Sequence, residues 1–368
     1  MRFLFGIFFW LVMCIVNSGT AWSGVGVEQI ANLMESDRVT FNPTQGEKYP
    51  VRFYLAHPGK VSLSILDPDG ILIRKIIVAK QFESGQHAVD WDGMDAKGGV
   101  VPDEVYTPML EVEFGDKVRV QINPAETSGG EIVSGLNWVK DPTGDITFNL
   151  ESPSRVLLRV GIKNGPMLKS MLYWAPKAPG KVVQRWDGFD YDKIEKIADR
   201  QDLWVLLMAY KLHRYAIITQ GNQTLDYRAW KTSLEIKRGK VDISRIQSRR
   251  EGVRIEKNYF YPREFEPTMT IRFSEDLTTT RHKLPILDTP VFIETNVPQE
   301  DRWVMESEMF EVVYFLDYEF QSEEEQGFLP FIWKLDPQKM SPGRHVATVQ
   351  LVGYSGFVVS RSVEFFVK

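Results

Sequence analysis

One short pattern occurs twice in this chain and limits what it can fold into. Phe41-Asn42-Pro43 leads through a strand-like stretch to Asp90-Trp91-Asp92-Gly93-Met94-Asp95, and Phe148-Asn149 leads in the same way to Arg185-Trp186-Asp187-Gly188-Phe189-Asp190. A repeat of this kind means one small folding unit copied along the chain, which favours a modular binding or scaffolding protein over a single catalytic core. With 368 residues the chain has room for two or three such units. Aromatic residues make up 12%, and Val, Ile and Thr are frequent, which favours strands. The net charge of -5 gives no signal for nucleic acid, and none is expected as a partner.

The N-terminus reads as an export signal. Met1-Arg2 is positive, Phe3 to Val16 is an apolar run, and Asn17 to Ala21 is small and polar. The run is short of the ~20 residues that span a bilayer. We expect a signal peptide within residues 1–23, a mature N-terminus between Ala21 and Gly26, no transmembrane segment after cleavage, and a secreted, periplasmic or cell-surface location. Cys14, the only cysteine, lies inside the run. Met13 is bulky where a lipidation box wants a small residue. The mature chain is therefore expected to have no disulfide and no cysteine-ligated metal.

From Val39 the pattern is β. Val51, Phe53 and Leu55 alternate, as do Val61, Leu63 and Ile65. Asp67-Pro68-Asp69-Gly70 is a turn, with Pro presetting φ and Gly free to take a positive one. These elements, with Gly46-Glu47, Gly85-x-His87, Trp91-Asp92-Gly93-x-Asp95, Gly98, Val101-Pro102 and Tyr106, resemble the Ig-like domain of the flagellar hook-capping protein, the FlgD type, over about residues 39–115. The resemblance implies an Ig-like sandwich, a module found in many secreted bacterial proteins. Hook capping itself is not expected: that protein's N-terminal scaffolding region has no counterpart, and a cleavable signal does not suit export through the flagellar channel.

The second copy, about Ile146 to Ala216, is degenerate. It lacks the Asp-Pro-Asp-Gly turn, has a charged insertion from Tyr191 to Arg200, and closes with Leu203 to Leu212. From Pro267 a third unit resembles bacterial Ig-like modules, on Phe310 to Asp317, Pro330-x-x-Trp333 and Pro342-Gly343-x-His345. It departs at Tyr318, where those modules usually have Gly after the Asp. The expected fold is therefore all-β, tandem Ig-like or fibronectin-like β-sandwiches. Residues 24–120 form the first unit, 121–220 a degenerate second and 267–368 the third, with a basic connector over 221–266.

No catalytic constellation emerges. Gly353-Tyr354-Ser355-Gly356 is not a nucleophile elbow, and the histidines lack zinc spacing. Asp67, Asp69, Asp90, Asp92 and Asp95 could gather calcium, but no calcium-loop motif is present and turn roles are expected. Trp91-Asp92-Gly93 and Trp186-Asp187-Gly188 are expected to be structural: a core indole, an Asp bonding turn amides and a Gly at positive φ. No enzyme activity, cofactor or metal is expected. The one candidate binding surface is the basic island, where Arg245, Arg249, Arg250 and Arg254 would meet an acidic envelope or surface protein or an anionic glycan, against the alternative of a solvated connector. The expected function is structural or assembly work at the envelope or surface through protein–protein contacts. The alternative is a glycan-binding or accessory module for extracellular polysaccharide, which an exposed strip at Tyr259-Phe260-Tyr261 would favour.

Overall fold

The computed structural model describes residues 30–115, 118–234, 250, 252–259, 266–281, 283–307 and 309–368. They form an all-β chain of three sandwiches. In the first module Ala31–Met34, Tyr49–Leu55 and Gly85–Trp91 make one sheet. Thr40–Phe41, Ile217–Thr219, Val105–Phe114, Gly59–Leu66 and Leu72–Phe82 make the other, in that order. Tyr49–Leu55 alternates buried and half-buried, so Val51, Phe53 and Leu55 face the partner sheet as their period-2 spacing requires. Ala31–Met34 runs antiparallel to Tyr49–Leu55, with Leu33 opposite Phe53. Among the described residues no helix is long and apolar enough to cross a membrane.

The second module repeats the first more closely than its sequence shows. Gly180–Gln184 pairs with Ile146–Leu150 as Gly85–Trp91 pairs with Tyr49–Leu55. That register puts Leu150 opposite Gly180 and Leu55 opposite Gly85, so Phe148 corresponds to Phe53 and not to Phe41. The true counterpart of Asn42-Pro43-Thr44 is Asp141-Pro142-Thr143. Asn42 Oδ1 accepts from Thr44 N at 3.0 Å and Thr44 Oγ1 at 2.6 Å, and Asp141 Oδ1 accepts from Thr143 N at 2.9 Å and Thr143 Oγ1 at 2.6 Å. The Phe-Asn match misled because two short polar side chains do the same capping work under different names. The backbone also repeats: Ala79 (φ 47) and Trp174 (φ 46) occupy the same place in Leu72–Phe82 and Met167–Lys177. Asn164, at φ 63, serves in place of the missing Asp-Pro-Asp-Gly turn. The charged insertion is no loose loop, since it buries Ile197 and Ala198 in the second core.

The third module packs Thr270–Phe273, Val291–Asn296 and Phe331–Leu335 against a five-stranded sheet. That sheet runs Ile286–Leu287, Val358–Val367, Gly343–Gly353, Phe310–Leu316 and Glu319–Glu324.

The described residues that follow the second module do not lead straight away from it. The chain turns back at His213 and lays Ile217–Thr219 into the first module, parallel to Thr40–Phe41 and antiparallel to Val105–Tyr106. The helix Tyr227–Ser233 then caps that module, with Trp230 inside its core. Residues 216–234 therefore pack with the first sandwich, and boundaries at 220 and 221 cut through this return.

A seam runs between each module and the next. Between the first and second, Arg155 Nη1 and Nη2 meet Glu104 Oε1 and Oε2 at 3.0 and 2.8 Å, and Nη1 also donates to Trp174 O at 2.8 Å. His213 Nε2 lies 2.7 Å from Thr107 Oγ1 in the same seam. Between the second and third, Tyr318 leaves its own hairpin and joins the second core, with Arg200 over its ring at 5.2 Å. Asp317 and Tyr318 both have positive φ (51 and 70), which explains why the turn ordinarily takes Gly. Burial of the ring in a neighbouring module offsets that strain.

Two outcomes follow from these seams. Tyr318→Gly relaxes the turn but empties its place in the second core, so the third module should melt separately and earlier in calorimetry, after a loss of about 3–5 kcal/mol. Burial lowers the His213 pKa to about 3. An imidazole held neutral stabilises the fold fully above its unfolded pKa near 6.5 and loses this as pH falls towards 3. From pH 7 to 5 the loss is about 2 kcal/mol at 1.36 kcal/mol per unit. Burial raises the Asp67 pKa to about 6, which acts in the opposite sense. The measurement is therefore the difference in denaturant midpoint between wild type and His213→Gln, which should shrink on acidification.

Candidate functional site

The repeated Trp-Asp-Gly corners are built alike. Trp91 and Trp186 are buried. Trp91 Nε1 donates to Met94 O at 3.1 Å, and Trp186 Nε1 donates to Phe189 O at 2.7 Å. Asp92 Oδ1 accepts from Met94 N, and Asp187 Oδ1 accepts from Phe189 N. A cation completes each corner: Arg74 lies 2.8 Å from Asp92 and Lys169 3.4 Å from Asp187. Gly93 (φ 73) and Gly188 (φ 84) sit at positive φ, and a Cβ on Gly93 would strike Pro43 at 2.3 Å. Both corners are thus occupied by their own contacts and offer no free indole face.

Asp67, Asp69 and Asp95 are likewise engaged, while Asp90 is exposed on its strand. Asp67 Oδ1 accepts from Asp69 N and Ile71 N, and Asp95 Oδ1 accepts from Lys97 N and Gly99 N. The helix Tyr227–Ser233 takes the remaining oxygens. Tyr227 Oη donates to Asp67 Oδ2 at 2.8 Å, Trp230 Nε1 donates to Asp95 Oδ2 at 3.1 Å, and Lys231 pairs with Asp69. The helix is thus strapped onto the corner by three residues within five positions. In the second module the matching Asp190 has no such helix, and its Oδ2 has no partner among the described residues. Arg228, on the same helix, reaches the third module at Asp301 (2.5 Å) and lies over Trp303 at 5.6 Å.

Of the four arginines of the basic island, Arg250 and Arg254 are described, and one is buried while the other is exposed. Arg245 and Arg249 lie outside the described residues. Arg254 is exposed. Arg250 is buried: its guanidinium pairs with Glu131 and donates to Gly129 O. The physical reason is local. Glu256 N donates to Gly130 O and Ile255 bridges Glu131, so this segment is stitched to the second module and draws Arg250 inward. Tyr259 is no exposed platform either. Its hydroxyl donates to Ala125 O and Ser128 O, and its ring meets Tyr210 edge-on at 6.0 Å. Phe260 and Tyr261 lie outside the described residues.

The open surface lies in the third module. Glu319–Glu324 is an edge strand, paired on one side with Phe310–Leu316. Every residue from 319 to 326 is exposed. Glu319, Glu323, Glu324 and Glu325 have no ionic partner among the described residues, and Phe320 is 54% exposed. At the Glu324 end of the strand Met309 and Tyr354 are exposed around a groove of about 300 Å³. A glutamate run in a sequence signals a solvated face and no more. The strand's open backbone edge depends on strand order, which the sequence did not show.

The comparisons with known proteins bear on the first module. Residues 36–116 match the FlgD Ig-like domain family, and this module is an FlgD-type Ig-like domain. No curated protein matches the sequence. Among solved structures the chain is similar to the fibronectin(III)-like modules of Clostridium thermocellum CbhA, with 8% identity, 92% of this chain and 94% of that chain covered, and TM-score 0.20. It is also similar to FlgD from P. aeruginosa, with 15% identity, 41% and 95% covered, and TM-score 0.21. A tetra-tandem repeat from the extending region of a large adhesion protein matches with 9% identity, 92% and 74% covered, and TM-score 0.19. At these TM-scores none of them bears on what this chain binds.

Arg250→Glu places a carboxylate beside Glu131 inside the second module's seam. It should lower stability well beyond the ~0.5 kcal/mol of an ordinary surface change, whereas Arg254→Glu should not. Urea denaturation of both variants checks this, and equal midpoints would return Arg250 to the surface.

Proposed function

We propose that this chain is an exported structural or assembly protein of the cell envelope or surface, non-enzymatic, acting through protein–protein contacts of linked Ig-like modules. The observation that carries the reading is the open strand Glu319–Glu324, held out from a body whose three modules are bolted to one another. An edge strand with unpaired backbone groups is a template for strand addition by a partner. Its glutamates select against like-charged strands and favour a basic one. Support for export comes from the N-terminal pattern of Met1 to Ala21. N-terminal sequencing of native protein should therefore begin between Ala21 and Gly26, and a start at Met1 would remove that support.

The docking test is affinity capture of the mature protein from its own envelope extract. Wild type is compared with Glu323→Lys/Glu324→Lys and with the control Glu113→Lys, whose site is on the first module. A basic partner should be captured by wild type and control, lost from the double variant, and weakened by salt, because exposed charges are screened over about 10 Å at 0.1 M. Identical captures by all three proteins would exclude this edge as the docking strand.

A further inference from the structure

A cleft of about 150 Å³ opens between the second and third modules. It is smaller than the ~300–1,000 Å³ of pockets for drug-sized ligands. Its walls carry three cations, Arg159, Lys169 and Arg361, against one carboxylate, Glu266, in a chain whose net charge is -5.

The three cations are not equally neutralised. Arg159 is satisfied: Glu266 Oε1 lies 3.2 Å from Nε and 2.5 Å from Nη2, and Gly356 O accepts from Nη2 at 3.0 Å. Lys169 reaches Asp187 Oδ1 and Phe189 O only at 3.4 Å. The Arg361 side chain is 12% exposed, yet its carboxylate partner, Asp192, is 4.0 Å away. Asp192 Oδ2 is meanwhile taken by Ser362 N at 2.7 Å. Arg361 Nη1 donates to Ser360 O at 2.7 Å, but the carboxylate nearest to it among the described ion pairs stays at 4.0 Å, so the charge of a largely buried guanidinium is only partly compensated. Burial lowers the Arg361 pKa from its ordinary value, in keeping with that deficit.

Tyr191 stands at the cleft's edge. The Arg361 guanidinium lies 3.5 Å from its ring centroid, and the residue is 52% exposed. A ring with one face held by a guanidinium and much of its surface open is a platform for a flat or saturated ring above the anion site.

We propose that this cleft is a binding site for an oxyanion, a carboxylate or a phosphate, carried on a sugar-sized ring. Lys169 and Arg361 hold the anion and Tyr191 supports the ring. The site goes beyond strand docking, since it lies between modules and away from the Glu319–Glu324 edge. Because its donors come from both modules, an occupied site tightens the second seam. A ligand that binds only the folded state raises stability by mass action.

The test is thermal melting of the full mature chain with sodium phosphate, glucose 1-phosphate or sodium glucuronate. Glucose, and sodium chloride at matched ionic strength, are the controls. All three anions should raise the melting temperature of the second and third modules above the chloride control, and glucose should not. The sugar-borne anions should half-saturate the shift at roughly tenfold lower concentration than phosphate, and Tyr191→Ser should erase that advantage. Lys169→Gln and Arg361→Gln should each abolish the response. Lys169→Gln is the safer variant, since its side chain carries none of the contacts between modules described above. No shift beyond chloride, or a full shift retained in both charge variants, overturns the site. Equal half-saturation by phosphate and its sugar ester overturns the assignment of the ring to Tyr191. Loss of envelope partners from the Glu323→Lys/Glu324→Lys protein has no bearing on this outcome, so the two readings fail separately.

Discussion

The contact on which the assembly depends is the ion pair between Arg155 and Glu104. Arg155 is buried in the second module, and its two terminal nitrogens face the two oxygens of a carboxylate from the first. Charges removed from water in this way gain stability only when the geometry is good and the remaining valences are filled. Here they are filled. Arg155 also donates to Trp174 O, and Glu104 Oε2 also accepts from Val105 N at 2.6 Å. The pair can form only at one relative placement of the modules, so it fixes their register in the way a directional contact can and an apolar one cannot.

That placement is reinforced by the path of the chain. Ile217–Thr219 can complete the first sheet only because the chain turns back at His213, beside Arg155 and against Thr107. The helix that follows then caps the first module and passes Arg228 to Asp301 of the third. A chain that leaves a module and returns to it couples their stabilities more tightly than a linker does. Modules joined by polar interfaces move relative to one another unless something holds them, and here the returning strand and the strapped helix both hold them.

Much of the architecture was legible in the sequence, because period-2 alternation and turn residues are local signals. Tyr49–Leu55, Gly59–Leu66 and the closing strand Leu203–Lys211 were read from such signals. The repeat was read too, but with the wrong partner for Phe41-Asn42-Pro43. Asp141 replaces Asn42 at no cost to the turn, whereas Phe148 only happens to precede an Asn. The docking of Tyr318 was half visible, as a departure from an expected glycine. Its destination was not, since a hairpin tip carries no mark of which neighbour will receive it. The burial of Arg250 was not legible for a related reason. A run of arginines reports charge along the chain, while burial is decided by partners such as Glu131 and Gly129 that lie far away in sequence.

The same distinction governs where binding should be sought. Of the cations in the described residues, those with close carboxylates, such as Arg155, Arg159 and Lys231, have their charge consumed by the fold. The counts of 44 basic and 49 acidic residues therefore say little about the surface that remains. What remains is uneven. The third module carries unpaired glutamates along an open strand edge, and the seam behind it carries an arginine and a lysine short of partners. A surface where sign is separated in this way can discriminate among ligands by charge while the modules keep their relative placement. The contacts between modules keep the strand edge and the cleft at a fixed separation, because a chain that returns to its first module and is pinned by ion pairs has little freedom to hinge.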